Sequence, residues 1–153
     1  MARHMAEIMW ERIVTDENAA HIMNVDVVVP APTGRGESER GFNHSKKLAR
    51  YISMNMKREM LDCLQKDEDA GTQKTAGSVE RFSNIKGSIG IKDEIQGEIE
   101  NKLFGKKVLL IDDVCTTGAT LNECAAVLKA AGAMEVHGLV FATGNHHSYG
   151  YFG

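Results

Sequence analysis

The chain has 153 residues, 42% of them hydrophobic and 25% charged, the size and make-up of one soluble domain that buries its core without staples. With 18 basic against 21 acidic side chains its net charge is −3, which excludes a histone-like or ribosomal nucleic-acid binder though not a local basic patch. No apolar run approaches the ~20 residues of a membrane span, so membrane insertion is not expected. The opening residues lack the order of a signal peptide. Cys63, Cys115 and Cys124 are an odd number without metal-site spacing and read as reduced thiols of a cytoplasmic protein.

Met5, Ile8, Met9 and Ile13 recur at helical spacing and predict an amphipathic helix over 5–20, with Trp10 as packing. The β-branched run at 25–29, ended by Pro30, predicts a buried strand. A glycine-containing loop spans 31–44. Leu48, Ala49, Ile52 and Met56 then share one face of a helix over 45–57, with Asn43 or Ser45 as its cap. A short strand at 61–64, a mobile polar loop at 66–77, one or two helical turns at 78–84 and a short strand at 87–91 follow. Residues 93–103 are charged and weakly patterned, and KVLLI at 107–111 predicts another apolar strand. Leu121, Cys124, Ala125, Leu128 and Ala131 line one face of a helix over 119–131, with Gly132 suited to the position after its end. A last strand is expected at 136–142, and there is no repeat or low-complexity tract.

Strands and helices alternate, and the strands are continuous apolar runs. This predicts an α/β fold with a mostly parallel sheet covered on both faces. Ligands of such sheets bind beyond the carboxyl ends of the strands, here at 31–44 and 112–118. Residues 35–50 carry Arg35, Arg40, Lys46, Lys47 and Arg50 against Glu37 and Glu39, net +3, whereas 1–26 and 108–153 each sum to −3. A positive island in an acidic chain suits a phosphate-bearing ligand, and a solvated helix face is the plainer account of it.

In VLLIDDVCTTGAT, residues 108–120, a strand runs into Asp112 and Asp113, then a hydroxyl-rich turn, then a helix. Thr116, Thr117, Gly118, Ala119 and Thr120 bring amides and hydroxyls to a helix N-terminus, a cradle for an anion. Two acids would repel a phosphate, so Asp112 and Asp113 face vicinal hydroxyls or a divalent cation. Phosphate on one side and a diol on the other describe a ribose 5-phosphate. Neither the P-loop order nor the dinucleotide fingerprint is present.

This string resembles the binding signature of type I phosphoribosyltransferases. Arg40-Gly41-Phe42-Asn43 with Ser45 and Leu48-Ala49, then Thr72-Gln73, Arg81, Asn84 and Gly87, resemble the branch related to the competence protein ComF. The likeness runs from about Val25 to Ala142. It departs at His44, where Gln is usual, and at Ala70-Gly71, where an Arg is expected before Thr72. No cysteine zinc ribbon is present, so zinc is not expected.

The resemblance implies a type I phosphoribosyltransferase fold, Rossmann-like, with a minimal hood and a lid loop. It divides the chain into an N-terminal helix at 1–22 as hood or flank, a core at 23–145, and a C-terminal tail at 146–153. It implies transfer from 5-phosphoribosyl 1-pyrophosphate to an unidentified acceptor base, with Mg²⁺ as cofactor. Asp112 and Asp113 would hold the ribose hydroxyls and, through them or water, the metal. Thr116 to Thr120 would hold the 5-phosphate, and Thr33, Gly34, Arg35 and Arg40 the pyrophosphate. The 66–77 loop would close with Thr72, Gln73 and Lys74, and Arg81 would clamp a phosphate; a helix-surface arginine without ligand is the plainer account.

Cys115 has no activating base nearby in sequence and reads as filler, and Cys124 reads as core. His146 and His147 are adjacent and point apart, which disfavours chelation, and Tyr149-Gly150-Tyr151 reads as tail or as a cover over the site. A non-catalytic module that senses phosphoribosyl pyrophosphate or a nucleotide, in regulation or DNA uptake, is the competing function. A competence-machinery protein, single-stranded DNA or a second copy of the chain is compatible as partner.

Overall fold

The computed structural model describes residues 1–34, 43–67, 88–115, 118–143 and 150–152. In chain order these form α1 (Ala2–Thr15), a 3₁₀ turn (Glu17–Ala19), α2 (Ala20–Met23), β1 (Val27–Pro30), α3 (His44–Met56), β2 (Glu59–Met60) and β3 (Leu64–Lys66). Then come β4 (Ile89–Ile91), a second 3₁₀ turn (Asp93–Ile95), α4 (Gln96–Leu103), β5 (Lys107–Cys115), α5 (Ala119–Ala130), β6 (Glu135–Thr143) and β7 (Gly150–Phe152). One sheet has the order β2-β1-β5-β6-β7, parallel throughout except for β7, which runs antiparallel to β6. β3 and β4 pair antiparallel in a small second sheet.

The continuous apolar strands have the physical basis expected of a sheet covered on both sides. Val27, Val29, Val108, Leu110, Val136 and Val140 pack into one layer with Ile99 and Leu103 of α4 and Leu121, Cys124 and Leu128 of α5. The alternate residues Val28, Leu109, Ile111 and Leu139 pack into the other with Met9 and Ile13 of α1, Ile22 of α2, and Leu48 and Ile52 of α3. Each of these large aliphatic side chains contributes roughly 1.5–3 kcal/mol on burial. α1 is therefore a layer of the core, and Trp10 packs partly buried against it. Among the described residues, no helix is long and apolar enough to cross a membrane.

α3 starts where Asn43 accepts a hydrogen bond from the Lys46 N–H at 2.9 Å, the N-cap geometry. It ends at Lys57, whose φ of 56° is left-handed. α5 ends as expected: Gly132, at φ 111°, follows it, and the Ala133 N–H donates to the Leu128 carbonyl at 3.1 Å. A Cβ on Gly132 would lie 3.3 Å from Phe104 Cα, so the position needs glycine for close approach as well as for conformation.

Several expectations shift. The helix expected over 5–20 stops at Thr15, because the Asp16 side chain accepts from the Asn18 N–H at 2.9 Å and caps a separate turn. The strand expected at 61–64 divides: β2 pairs with β1, β3 pairs with β4, and 61–63 carry the chain between the two sheets. Lys66, expected in the polar loop, belongs to β3. α4 was hidden because it buries only Ile99 and Leu103, two positions one turn apart. The strand expected to stop at 111 runs to Cys115, so Asp112 and Asp113 lie in β5 and not in a loop. The expected C-terminal tail holds β7, which joins β6 through Gly138↔Phe152 and Val140↔Gly150. The turns expected at 78–84 fall outside the described residues.

Candidate functional site

The carboxyl ends of β1 and β5 lie side by side. Pro30 pairs with Ile111, and the Ala31 N–H donates to the Ile111 carbonyl at 2.8 Å. Thr33 and Gly34, half-buried, therefore follow β1 at the edge where Asp112 and Asp113 follow Ile111. α5 begins at the same edge. Gly118, its N-cap, has a φ of 79°, which a glycine adopts without strain. Gly118, Ala119 and Thr120 thus open a helix directly beyond the acids, as the sequence predicts.

The two acids are held differently. Asp112 Oδ1 accepts from the Ser45 hydroxyl at 2.7 Å and from the Asp113 N–H at 2.8 Å. Asp113 Oδ1 accepts a local bond, from the Val114 N–H at 2.9 Å. Asp112 is the more inward of the pair. Burial pushes its carboxyl up to about 7 from an ordinary 3.8; the Ser45 hydroxyl and the Asp113 N–H oppose the rise, and the neighbouring Asp113 carboxyl adds to it. Its charge is also felt by Cys124 on α5, whose thiol is pushed up to about 12, first by burial and then by Asp112. Asp112 thus sits over the α5 layer with one oxygen committed to the protein.

Two carboxyl groups this close favour a shared proton, a hydroxyl donor or a hard cation between them. Among the described residues no group of three or more His, Cys, Asp or Glu side chains comes together to hold a metal. A cation here would take at most this carboxylate pair and complete its shell with water or ligand oxygens, the habit of Mg²⁺. The donor set fits that ion.

A second charged cluster adjoins the edge. Asp62, in the crossover after β2, pairs with Lys46 of α3 at 2.7 Å and with Lys92 after β4 at 3.2 Å. Burial alone would raise the Asp62 carboxyl, but Lys46 and Lys92 outweigh it and hold it below the usual 3.8. This clamp ties the small sheet to α3, and sequence reasoning did not single it out. It also missed the tie from Ser45 to Asp112, since those residues are 67 positions apart and nothing local marks the pairing.

The structure thus brings Thr33, Gly34, Asp112, Asp113, Gly118, Ala119 and Thr120 to one edge of the sheet. Arg35, Arg40, Thr72, Gln73, Lys74, Arg81, Thr116, Thr117, His146 and His147 lie outside the described residues, as does the side chain of Cys115.

Residues 3–149 match the model of the phosphoribosyl transferase domain family. Competence protein ComFC of Streptococcus pneumoniae is 36% identical over 112 residues, covering 72% of this chain and 44% of that protein. Competence protein F of Haemophilus influenzae is 26% identical over 137 residues, covering 88% of this chain and 57% of that protein. The chain therefore spans about half the length of these relatives. The glutamine phosphoribosylpyrophosphate amidotransferase of B. subtilis superposes with a TM-score of 0.56 at 21% identity, over 91% of this chain and 26% of that one. A hypoxanthine phosphoribosyl transferase of Trypanosoma cruzi does so with 0.53 at 13%, over 94% and 65%. At these identities the structural likeness is one of fold. With the family model spanning nearly the whole chain and competence proteins among its relatives, the chain belongs to the phosphoribosyl transferase domain family, as a ComF-like type I member.

Proposed function

We propose that the chain is a cytoplasmic, Mg²⁺-dependent phosphoribosyltransferase that takes 5-phosphoribosyl 1-pyrophosphate as donor. The observation that carries this reading is the adjacency of the carboxylate pair at the end of β5 to the N-terminus of α5. Asp112 and Asp113 hold the ribose hydroxyls as acceptors. Thr116 and Thr117, with the start of α5 at Gly118, Ala119 and Thr120, hold the 5-phosphate. Thr33, Gly34, Arg35 and Arg40 receive the pyrophosphate from the β1 side, and Lys74 and Arg81 neutralise it from the segment between β3 and β4.

A ring nitrogen of the acceptor base forms a bond to C1 of the ribose. The C1–oxygen bond to pyrophosphate breaks, the leaving group keeps the electron pair, and the nitrogen loses its proton. Mg²⁺, held through Asp112 and Asp113 by water or ribose hydroxyls, would supply charge neutralisation for the departing pyrophosphate. The residues contribute mainly by positioning the two reactants and by meeting charge where it develops.

The test is pyrophosphate release from the donor with a panel of purines, pyrimidines and orotate. Base-dependent, Mg²⁺-dependent release supports the transferase. The relatives' names as competence proteins favour one second reading, a binding module acting in DNA uptake. Tight Mg²⁺-dependent donor binding without turnover would select it. Absence of both binding and turnover overturns the site itself.

A further inference from the structure

We infer that Ser45 is a positioning residue: its hydroxyl fixes the Asp112 carboxylate so that the remaining oxygen faces the ribose diol. The inference rests on the reading of Asp112 and Asp113 as diol acceptors. Ser45 lies in the first turn of α3, only 2% exposed, next to the apolar stripe of Leu48, Ala49 and Ile52. Serine is a mediocre helix residue, and a buried hydroxyl needs a partner. The capping role is already filled by Asn43. Nor does Ser45 bond back to its own helix, as Ser53 does to the Arg50 carbonyl at 2.9 Å. Its hydroxyl donates instead across the fold to Asp112 Oδ1 at 2.7 Å, a short, charge-assisted bond.

The geometric consequence follows from counting donors. With the Asp113 N–H on the same oxygen, Asp112 Oδ1 has two donors from different directions, one from its own strand and one from α3. Rotation of the carboxyl group would break at least one of them, so Oδ2 is aimed. Asp113, to which the described residues give one local donor, is the acid that adjusts to the ligand. One acid of the pair is thus a fixed reference for the sugar and the other an adaptable partner, and the fixed one depends on Ser45.

The experiment compares the affinities of ribose 5-phosphate and 2,3-dideoxyribose 5-phosphate, each with Mg²⁺, by calorimetric titration. The wild-type chain is expected to prefer the diol-bearing sugar. Ser45→Ala should reduce that preference by about tenfold, the value of one hydrogen bond to a charged group, and leave the affinity for the dideoxy sugar unchanged. On an Asp112→Asn background, Ser45→Ala should reduce it no further, since both changes act through one carboxylate. Ser45→Cys, similar in size with a far weaker donor, carries the same comparison if the alanine variant fails to fold. A wild-type chain without preference for the diol overturns the diol reading and this inference together. An intact preference that Ser45→Ala leaves unchanged, or lowers equally on both backgrounds, overturns the role of Ser45 alone.

Discussion

Asp112→Asn should make the metal-free protein more stable while it weakens the proposed site. The wild-type carboxyl lies inward against the α5 layer, and burial lifts it from 3.8 to about 7. A folded-state value raised above the unfolded one means that the native state holds its proton more tightly. Stability is then complete below about 4 and is lost as pH rises through 7. The ionised group at pH 8 accordingly costs on the order of 4 kcal/mol. An asparagine keeps a carbonyl oxygen to accept from the Ser45 hydroxyl and the Asp113 N–H, and carries no charge to desolvate. The stability advantage of the variant should therefore grow by roughly 2–3 kcal/mol between pH 5 and pH 8. For a chain of 153 residues the Tm difference from wild type should widen by about 4–12 °C. Calorimetric melts in chelator at both pH values measure it, and titration of the ribosyl donor with Mg²⁺ should show weakened binding. A Tm difference that does not change with pH, or a variant less stable at pH 8, would refute the argument that burial of this charge is costly.

The Asp62 clamp has the opposite sign. Its carboxyl is held below 3.8 by Lys46 and Lys92, so its contribution is present above that pH and is lost as pH falls through the lowered folded value. Asp62→Asn should lower Tm by about 2–4 °C near pH 7, for a loss of about 1 kcal/mol, and the gap should close below pH 4; a gap that persists in acid would show that the ion pairs are not its source. Cys63 and Cys124 are fully buried, and burial pushes both thiols up to about 12, so iodoacetamide at pH 8 should leave both unmodified in the native protein and alkylate both in denaturant. Peptide mapping by mass spectrometry reads this out, and rapid native labelling of either would contradict the packing.

The chain's sequence made the sheet legible because its strands are buried on both faces, and runs such as VLLI at 108–111 have no other stable placement. The order of acids and helix was likewise local and could be read directly. What escaped was set by pairing between distant parts of the chain. Nothing polar in a strand's sequence announces that Asp112 and Val114 stay in register with Val140 and Ala142, so β5 looked finished at its last aliphatic residue. α4 shows only two buried side chains, too few for a period. β7 owes its form to the free edge of β6. Ser45 illustrates the limit most clearly. In sequence it is an ordinary candidate for a helix cap, and only the juxtaposition of α3 with the end of β5 turns its hydroxyl toward Asp112.

β5 lies inside the sheet, with β1 on one side and β6 on the other, and its pairing with β6 continues past the acids to Cys115↔Thr143. The two acids are thereby carried on a strand that is paired on both sides. Little backbone freedom remains there to be surrendered, so if the proposed site takes its ligand, the ordering cost falls on side chains such as that of Asp113 and not on the main chain. Under the proposed function, substitutions among the surrounding segments would then alter which molecule is admitted and leave the placement of the two acids as it was.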